Sequence, residues 1–152
     1  MQSDMSSLVF LQYLTTVFDN IEDAIILVNV EPKGNYRLLM ANDTFFRTSG
    51  YTRDVIGEPV EKIVPAEGYK ELLHYYGKVV QTKKTVNYTQ KYEVPIGLIT
   101  YSIKLIPIIN AVGEAVQIAG IIHDITEIEC LREKVRETSK TLETLGDQLR
   151  AG

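Results

Sequence analysis

Three β-forming runs joined by two short turns constrain the fold of this chain more than any other feature. The runs cover residues 86–94, 98–109 and 115–124, and the segments between them contain proline, glycine or asparagine. Connections this short join neighbouring antiparallel strands. Residues 24–30 and 36–41 form a further pair of apolar runs around a turn with proline and glycine. The sequence therefore predicts a five-stranded antiparallel sheet.

Helical segments between these two groups of strands predict a second layer. Residues 67–82 carry apolar side chains at three- and four-residue spacing, as in an amphipathic helix. Residues 42–63 hold several helix caps and helix ends, so we expect only helices of one or two turns there. The predicted fold class is α+β, with short helices on one face of the sheet. This domain is expected over residues 23–126, after an N-terminal amphipathic helix within residues 1–22.

A heptad repeat near the end of the chain predicts a coiled-coil connector over residues 127–152. Its members are Ile128, Leu131, Val135, Thr138, Leu142, Leu145 and Leu149. A stripe of this kind needs a partner helix, so we expect a homodimer. The threonine in the stripe and Gly146 beside it weaken a coil that three heptads already leave marginal. Leu11, Leu14 and Phe18 form a stripe on the N-terminal helix, which fits either a second dimer contact or packing on its own domain.

The composition disfavours several classes of protein. A net charge of −4 argues against a nucleic-acid binder, which usually presents a basic face. No apolar run reaches the roughly 18 residues of a membrane span, and the first residues lack a basic secretory start, so we expect a cytoplasmic segment without membrane contact. With one cysteine and two histidines, neither an internal disulfide nor a metal site is expected. The sequence has no phosphate-binding loop and no nucleophile elbow, so we predict no enzyme.

Four short motifs, in this order and at these spacings, resemble the PAS family of sensory domains. They are NDTFFRTSGY at 42–51, VIG at 55–57, IVP at 63–65 and GIIHDITE at 120–127. The resemblance covers about residues 14–127. It implies the α+β fold described above, and a sensory function in which changes in the sheet pass to the helix that follows it.

The last of these motifs also has a local physical role. Thr126 and Glu129 have the spacing of a capping box, in which the hydroxyl and the carboxylate each accept a hydrogen bond from a backbone N–H at the helix start. The resemblance implies that Asp124, Thr126 and Glu129 relay changes in the sheet to the coil.

The resemblance also has consequences for cofactors. Family members that form a light-driven flavin adduct place a cysteine where this chain has Val60, and a glutamine where it has Ile122. Haem-binding members place a histidine where it has Leu72, and His74 falls on the polar face of the predicted helix. We therefore predict no cofactor, and both flavin and haem are disfavoured.

A small ligand of unknown identity is an alternative to a filled core. The candidates for a pocket between the sheet and the short helices are Met40, Phe45, Phe46, Leu72, Tyr76, Tyr101 and Ile122. In residues 86–94 the tyrosines and the charged residues occupy opposite faces, and the sequence leaves open which face lines the pocket. A tyrosine face would suit an apolar or aromatic ligand, and the opposite face a polar one.

Together these features predict a homodimeric sensory and dimerisation module from a histidine kinase or a similar signalling protein. Its C-terminal effector domain is expected outside this chain. Two alternatives stay open: a carrier of a lipophilic small molecule, and a structural dimeriser with a filled core. The heptad favours the sensor or the dimeriser, because a carrier has no need of a dimerising helix.

Overall fold

The computed structural model describes residues 2–151, and its elements follow the predicted order. The helices are α1 (Gln2–Asn20), α2 (Asp43–Ser49), α3 (Val60–Ile63), α4 (Ala66–Thr82) and α5 (Thr126–Ala151). The strands are β1 (Ala24–Glu31), β2 (Asn35–Ala41), β3 (Val86–Val94), β4 (Gly97–Ile109) and β5 (Ala115–Asp124). Single turns of 3₁₀ helix follow β1 and α2. The predicted α+β fold is confirmed.

The five strands form one antiparallel sheet in the order β2-β1-β5-β4-β3. The first and last strands are neighbours in this sheet, and Ala24 at the start of β1 pairs with Ile122 near the end of β5. Beside this pair, Nδ1 of His123 lies 2.7 Å from Oδ1 of Asp23. The helix before β1 and the helix after β5 consequently meet the sheet at the same end.

A β-bulge in β2 moves Met40 away from the predicted pocket. The pairing with β1 passes directly from Leu38 to Met40, so Leu39 is an extra residue that the pairing skips. The extra residue reverses the alternation of the strand. Ala41 therefore faces the core, and Met40 is 50% exposed. The expectation that Met40 lines the pocket is corrected, because the extra residue turns the Met40 side chain away from the core.

The hydrophobic core lies between the sheet and α4. Leu72, Tyr76 and Val79 form the buried face of α4, at the spacing of an amphipathic helix. They belong to one cluster with Leu105 and Ile118 of the central strands, which are almost fully buried. Burying an aliphatic side chain of this size contributes about 1.5–3 kcal/mol. Packing of this kind keeps the short helices α2 and α3 in place, since neither is long enough to be stable alone.

The apolar stripes of the two end helices are exposed. Among the described residues of α5 none is buried, and its apolar stripe residues range from 43% exposed at Ile128 to 82% at Leu149. On α1, Leu11 and Leu14 are exposed, whereas Phe18 is half-buried. Within residues 2–151, no helix is both long and apolar enough to cross a membrane. The dimer contacts expected on both helices stay predictions.

Candidate functional site

A cavity of about 90 Å³ lies between the sheet and the helices α2–α4. Five of the seven pocket candidates contribute to its wall: Phe45, Leu72, Tyr76, Tyr101 and Ile122. They come from α2, α4, β4 and β5, so the fold brings together residues that are far apart in the chain. Among the described residues that line this cavity, none carries a charge at neutral pH. The space therefore suits an apolar group.

Phe46, the remaining candidate beside Met40, lies outside this wall. Its ring meets the ring of Phe45 edge-on at a centroid distance of 5.3 Å, and the guanidinium carbon of Arg53 lies 4.8 Å from its centroid. Successive residues of an α-helix point about 100° apart, so the two phenylalanines of α2 face different surroundings. Phe45 faces the cavity and Phe46 packs beneath the arginine.

β3 turns its tyrosines toward the core. Val86, Tyr88, Gln90 and Tyr92 are buried and alternate with exposed residues, which settles the orientation that the sequence leaves open. Tyr88 and Tyr92 line the cavity, and Tyr75 of α4 stacks on Tyr88 with ring centroids 3.9 Å apart. The lining is therefore the tyrosine face, the alternative suited to an apolar or aromatic ligand.

Gln90 fixes the direction of a buried chain of hydrogen bonds. Its Nε2 donates to the carbonyl oxygen of Gly68 at 2.9 Å, so its Oε1 is left to face Tyr92. Tyr92 donates its hydroxyl proton to that oxygen at 2.8 Å, and must then accept from the Tyr88 hydroxyl at 3.2 Å. The Tyr88 hydroxyl is the last group of this hydrogen-bond chain. Its oxygen can only accept a further hydrogen bond, because its proton is donated to Tyr92. A ligand that reaches this end of the chain would need a hydrogen-bond donor.

Burial keeps the cavity tyrosines neutral. Removal from water raises the pKa of Tyr76 and Tyr88 well above the ordinary value for tyrosine. Burial, followed by the nearby carboxylate of Asp124, raises the pKa of Tyr101 to about 12. Near neutral pH these side chains therefore act as hydroxyl groups and not as phenolates.

The cavity does not fit a large cofactor. Its 90 Å³ lies below the roughly 300 Å³ at which small-molecule pockets usually begin, and below the cavity of about 150 Å³ that holds benzene in an engineered core. Val60 and Leu72 line it where the resemblance places the reactive cysteine and the haem-binding histidine, and neither side chain can serve as a nucleophile or an iron ligand. His74 is exposed on the outer face of α4. These residues do not fit a flavin adduct or an axial haem ligand.

The start of α5 is bound to β4 at Thr100. The Thr100 N–H donates to Oγ1 of Thr126 at 3.0 Å, and the Ile125 N–H donates to the Thr100 carbonyl oxygen at 2.8 Å. Oδ1 of Asp124 accepts from the Thr126 N–H at 2.9 Å. We call these four residues the α5 clamp. Two of the three predicted relay residues, Asp124 and Thr126, belong to it.

The predicted capping box is not formed. The Thr126 hydroxyl oxygen accepts from Thr100, which lies on another strand, and Oε1 of Glu129 accepts from Nη1 of Arg132 at 2.9 Å. Thr126 and Glu129 have the spacing of a capping box, but the Thr126 hydroxyl is hydrogen-bonded to Thr100, which is distant in sequence. The carboxylate of Asp124 binds a backbone N–H at the helix start instead.

A family model described as the PAS domain matches residues 12–77. The chain contains a PAS domain. A search of curated proteins finds no match to the chain.

Solved structures share the fold of this PAS domain at low sequence identity. An RNA-binding light-oxygen-voltage receptor aligns with a TM-score of 0.72 and 20% identity, over 85% of this chain and 37% of the receptor. The PAS domain of a protein from Colwellia psychrerythraea aligns with a TM-score of 0.65 and 20% identity, over 78% of this chain and 98% of that domain. A PAS domain from a two-component sensor histidine kinase aligns with a TM-score of 0.60 and 14% identity, over 78% and 98%. The chain thus spans little more than a third of the light-oxygen-voltage receptor.

Asn42 ties the entry of the PAS domain to its core, a role beyond the helix cap that the sequence indicates. Its side chain is fully buried. Its Oδ1 accepts from the N–H groups of Ile25 and Phe45, at 2.9 and 3.1 Å. Its Nδ2 donates to the carbonyl oxygens of Phe18 and Asp23, each at 3.0 Å. One side chain therefore connects α1, the linker after it, β1 and α2, and the sequence signals only the contact with α2.

Proposed function

We propose that this PAS domain is a homodimeric sensory module that converts occupancy of its cavity into a change in α5. In the proposed whole protein, α5 passes that change to an effector domain, as in a histidine kinase or a similar signalling protein. The proposed role is binding and relay without catalysis. The family match and the likeness to PAS domains of sensor proteins support a sensory signalling module.

The observation that carries the proposal is that neighbouring residues of β4 serve the cavity and the α5 clamp. Tyr101 lines the cavity, and Thr100 is hydrogen-bonded to Ile125 and Thr126. Adjacent residues of a strand share a planar peptide unit, although their side chains point to opposite faces. A ligand that displaces Tyr101 should therefore shift Thr100 and weaken the hydrogen bonds that hold the start of α5.

The exposed stripes support the dimer. From Ile128 to Leu149, α5 extends for about 32 Å at 1.5 Å per residue. Pairing with a second copy would bury apolar side chains that are now in water, and each buried leucine contributes about 1.5–3 kcal/mol. Thr138 interrupts the apolar stripe, so such a coil would be weak enough to rearrange when its base moves.

The small cavity favours the structural dimeriser as a second candidate. A cavity of 90 Å³ leaves the core nearly filled, and a filled core would still hold two stripes in place for dimerisation. The two candidates differ in one respect: only the sensor requires that a change in the cavity reach the α5 clamp.

Benzene in an enlarged cavity tests the relay. Leu72→Ala removes most of a side chain from the cavity wall and should open space of the size that takes up benzene. We expect benzene to speed amide exchange at Thr100 and Ile125 in this variant. Val79→Ala is the matched control, because Val79 is fully buried in the same helix but does not line the cavity. If benzene raises the midpoint of thermal unfolding of Leu72→Ala but leaves both amides unchanged, the relay is wrong and the structural dimeriser is favoured.

The dimer is tested by Leu142→Asp. A carboxylate within the stripe should dissociate the coil, because it would have to be buried without a partner. Lys140→Asp adds the same side chain on the outer side of the helix and should leave the dimer intact. Light scattering measures the mass of both variants, and an unchanged mass for Leu142→Asp would contradict a dimer through α5.

A further inference from the structure

Charged side chains flank the exposed stripe of α5 at its base and not at its tip. With Ile128 at heptad position a and Leu131 at d, the positions that border the stripe are e and g. The e positions hold Arg132, Ser139 and Gly146, and the g positions hold Glu127, Lys134, Thr141 and Gln148. The last two heptads therefore have uncharged residues on both borders.

We infer that α5 pairs with α5 of a second copy in parallel and in register, with Glu127 of each copy bonded to Arg132 of the other. This inference rests on the proposed dimer and specifies its geometry. In a parallel coiled coil a g residue faces the e residue five positions later in the other helix, which brings these two together. Ile128 and Val135 at a, with Leu131 at d, are also the combination that favours two parallel strands.

Charge complementarity favours this arrangement over the alternatives. A slip of one heptad would place Lys134 of one helix opposite Arg132 of the other, which is a repulsive pair. An antiparallel coil built on the same stripe would place Glu127 near Gln148 of the other helix, so the ion pair would be lost. Only the parallel, in-register coil joins opposite charges, and it does so twice because of the twofold symmetry.

The present contacts leave Arg132 able to make this bond. Its Nη1 donates to Oε1 of Glu129 at 2.9 Å, and no other hydrogen bond of its guanidinium is found among the described residues. A guanidinium carries five N–H donors, so it can hold Glu129 of its own helix and Glu127 of the second copy together. Glu127 is exposed and its side chain makes no ion pair within residues 2–151. These ion pairs set the register at the base of the coil, whereas no charged residue borders the stripe at its tip.

Charge exchange tests the ion pair. Arg132→Glu and Glu127→Arg each create like charges across the coil, and each should weaken the dimer about tenfold at low salt, the equivalent of about 1.4 kcal/mol. The double variant restores opposite charges and should regain most of the affinity. Arg136→Glu is the matched control, because it makes the same charge change at a position away from both borders. Sedimentation equilibrium of the full chain measures the dissociation constants.

Disulfide trapping tests the orientation. The test uses Leu145→Cys together with Cys130→Ser, which removes the exposed native thiol. This variant should form an interchain disulfide on mild oxidation, because d residues of a parallel coil face each other. A wild-type chain that is monomeric would overturn the proposed dimer itself. Two results would support the dimer but overturn the inferred geometry. One is a dimer that forms no disulfide, and the other is a dimer that Arg132→Glu weakens no more than Arg136→Glu does.

Discussion

Replacing Thr126 with valine tests whether the α5 clamp or a capping box holds the start of the last helix. Valine has nearly the same shape as threonine but no hydroxyl. Its only large effect should be to leave the Thr100 N–H without its acceptor at 3.0 Å. Thr100 is 8% exposed, so water does not readily replace that acceptor.

The cost follows from this burial. A buried backbone N–H that loses its acceptor costs about 1–3 kcal/mol. We expect about 1.5 kcal/mol, because Thr126 itself is only half-buried. For a domain of this size, this lowers the midpoint of thermal unfolding by about 3–6 °C. The Thr100 amide should exchange at least about tenfold faster, since about 1.4 kcal/mol corresponds to a factor of ten.

Two controls separate the clamp from the capping box. Thr126→Ser keeps the hydroxyl, so it should retain the protection of the Thr100 amide and most of the stability. Glu129→Ala should cost less than about 0.5 kcal/mol, because among residues 2–151 the Glu129 carboxylate takes part in a single, surface ion pair, with Arg132. Urea unfolding and amide exchange measure all three variants. The clamp is refuted if valine and serine give the same midpoint and the same Thr100 exchange, or if Glu129→Ala costs as much as Thr126→Val.

Three further predictions concern the buried polar groups. Asn42→Asp loses two donated hydrogen bonds and places a carboxylate against two carbonyl oxygens. Urea unfolding should therefore show that the free energy of unfolding falls by about 3 kcal/mol. A decrease below about 1 kcal/mol would contradict the buried arrangement of four hydrogen bonds. Gln90→Leu removes the acceptor of the Tyr92 hydroxyl and the side-chain donor to the Gly68 carbonyl oxygen, so it should cost about 1–3 kcal/mol by the same method. No loss would mean that the hydrogen-bond chain is not formed. Above about pH 10 tyrosines lose their protons in the unfolded chain, whereas Tyr101 of the folded chain, with a pKa of about 12, keeps its proton. Deprotonation therefore favours the unfolded state, and the free energy of unfolding should be level up to about pH 10 and fall at higher pH. A free energy that stays level or rises between about pH 10 and about pH 12 would contradict the raised pKa values.

Local patterns were enough to predict the elements of the fold. The apolar alternation of the strands and the spacing on α4 depend on residues a few positions apart, so a single sequence reveals them. The bulge at Leu39 was missed, because one inserted residue changes the facing of Met40 without disturbing the composition of the strand.

The candidate site was predicted less completely, because its contacts join distant parts of the chain. Phe45 and Tyr101 are among the predicted pocket residues, and both line the cavity. The bond between Thr126 and Thr100 spans 26 positions, and nothing in the local sequence distinguishes it from a capping box. The orientation of β3 depends on Gln90, whose burial makes sense only once Gly68 and Tyr92 lie beside it.

The adjacency of β1 and β5 has a consequence for how such a domain fits into a longer polypeptide. Because Ala24 pairs with Ile122, the chain enters and leaves the sheet at nearly the same point. A domain built in this way can be inserted between two helices of a longer protein with its two junctions side by side. Exchange of one such domain for another would then leave the positions of both junctions unchanged.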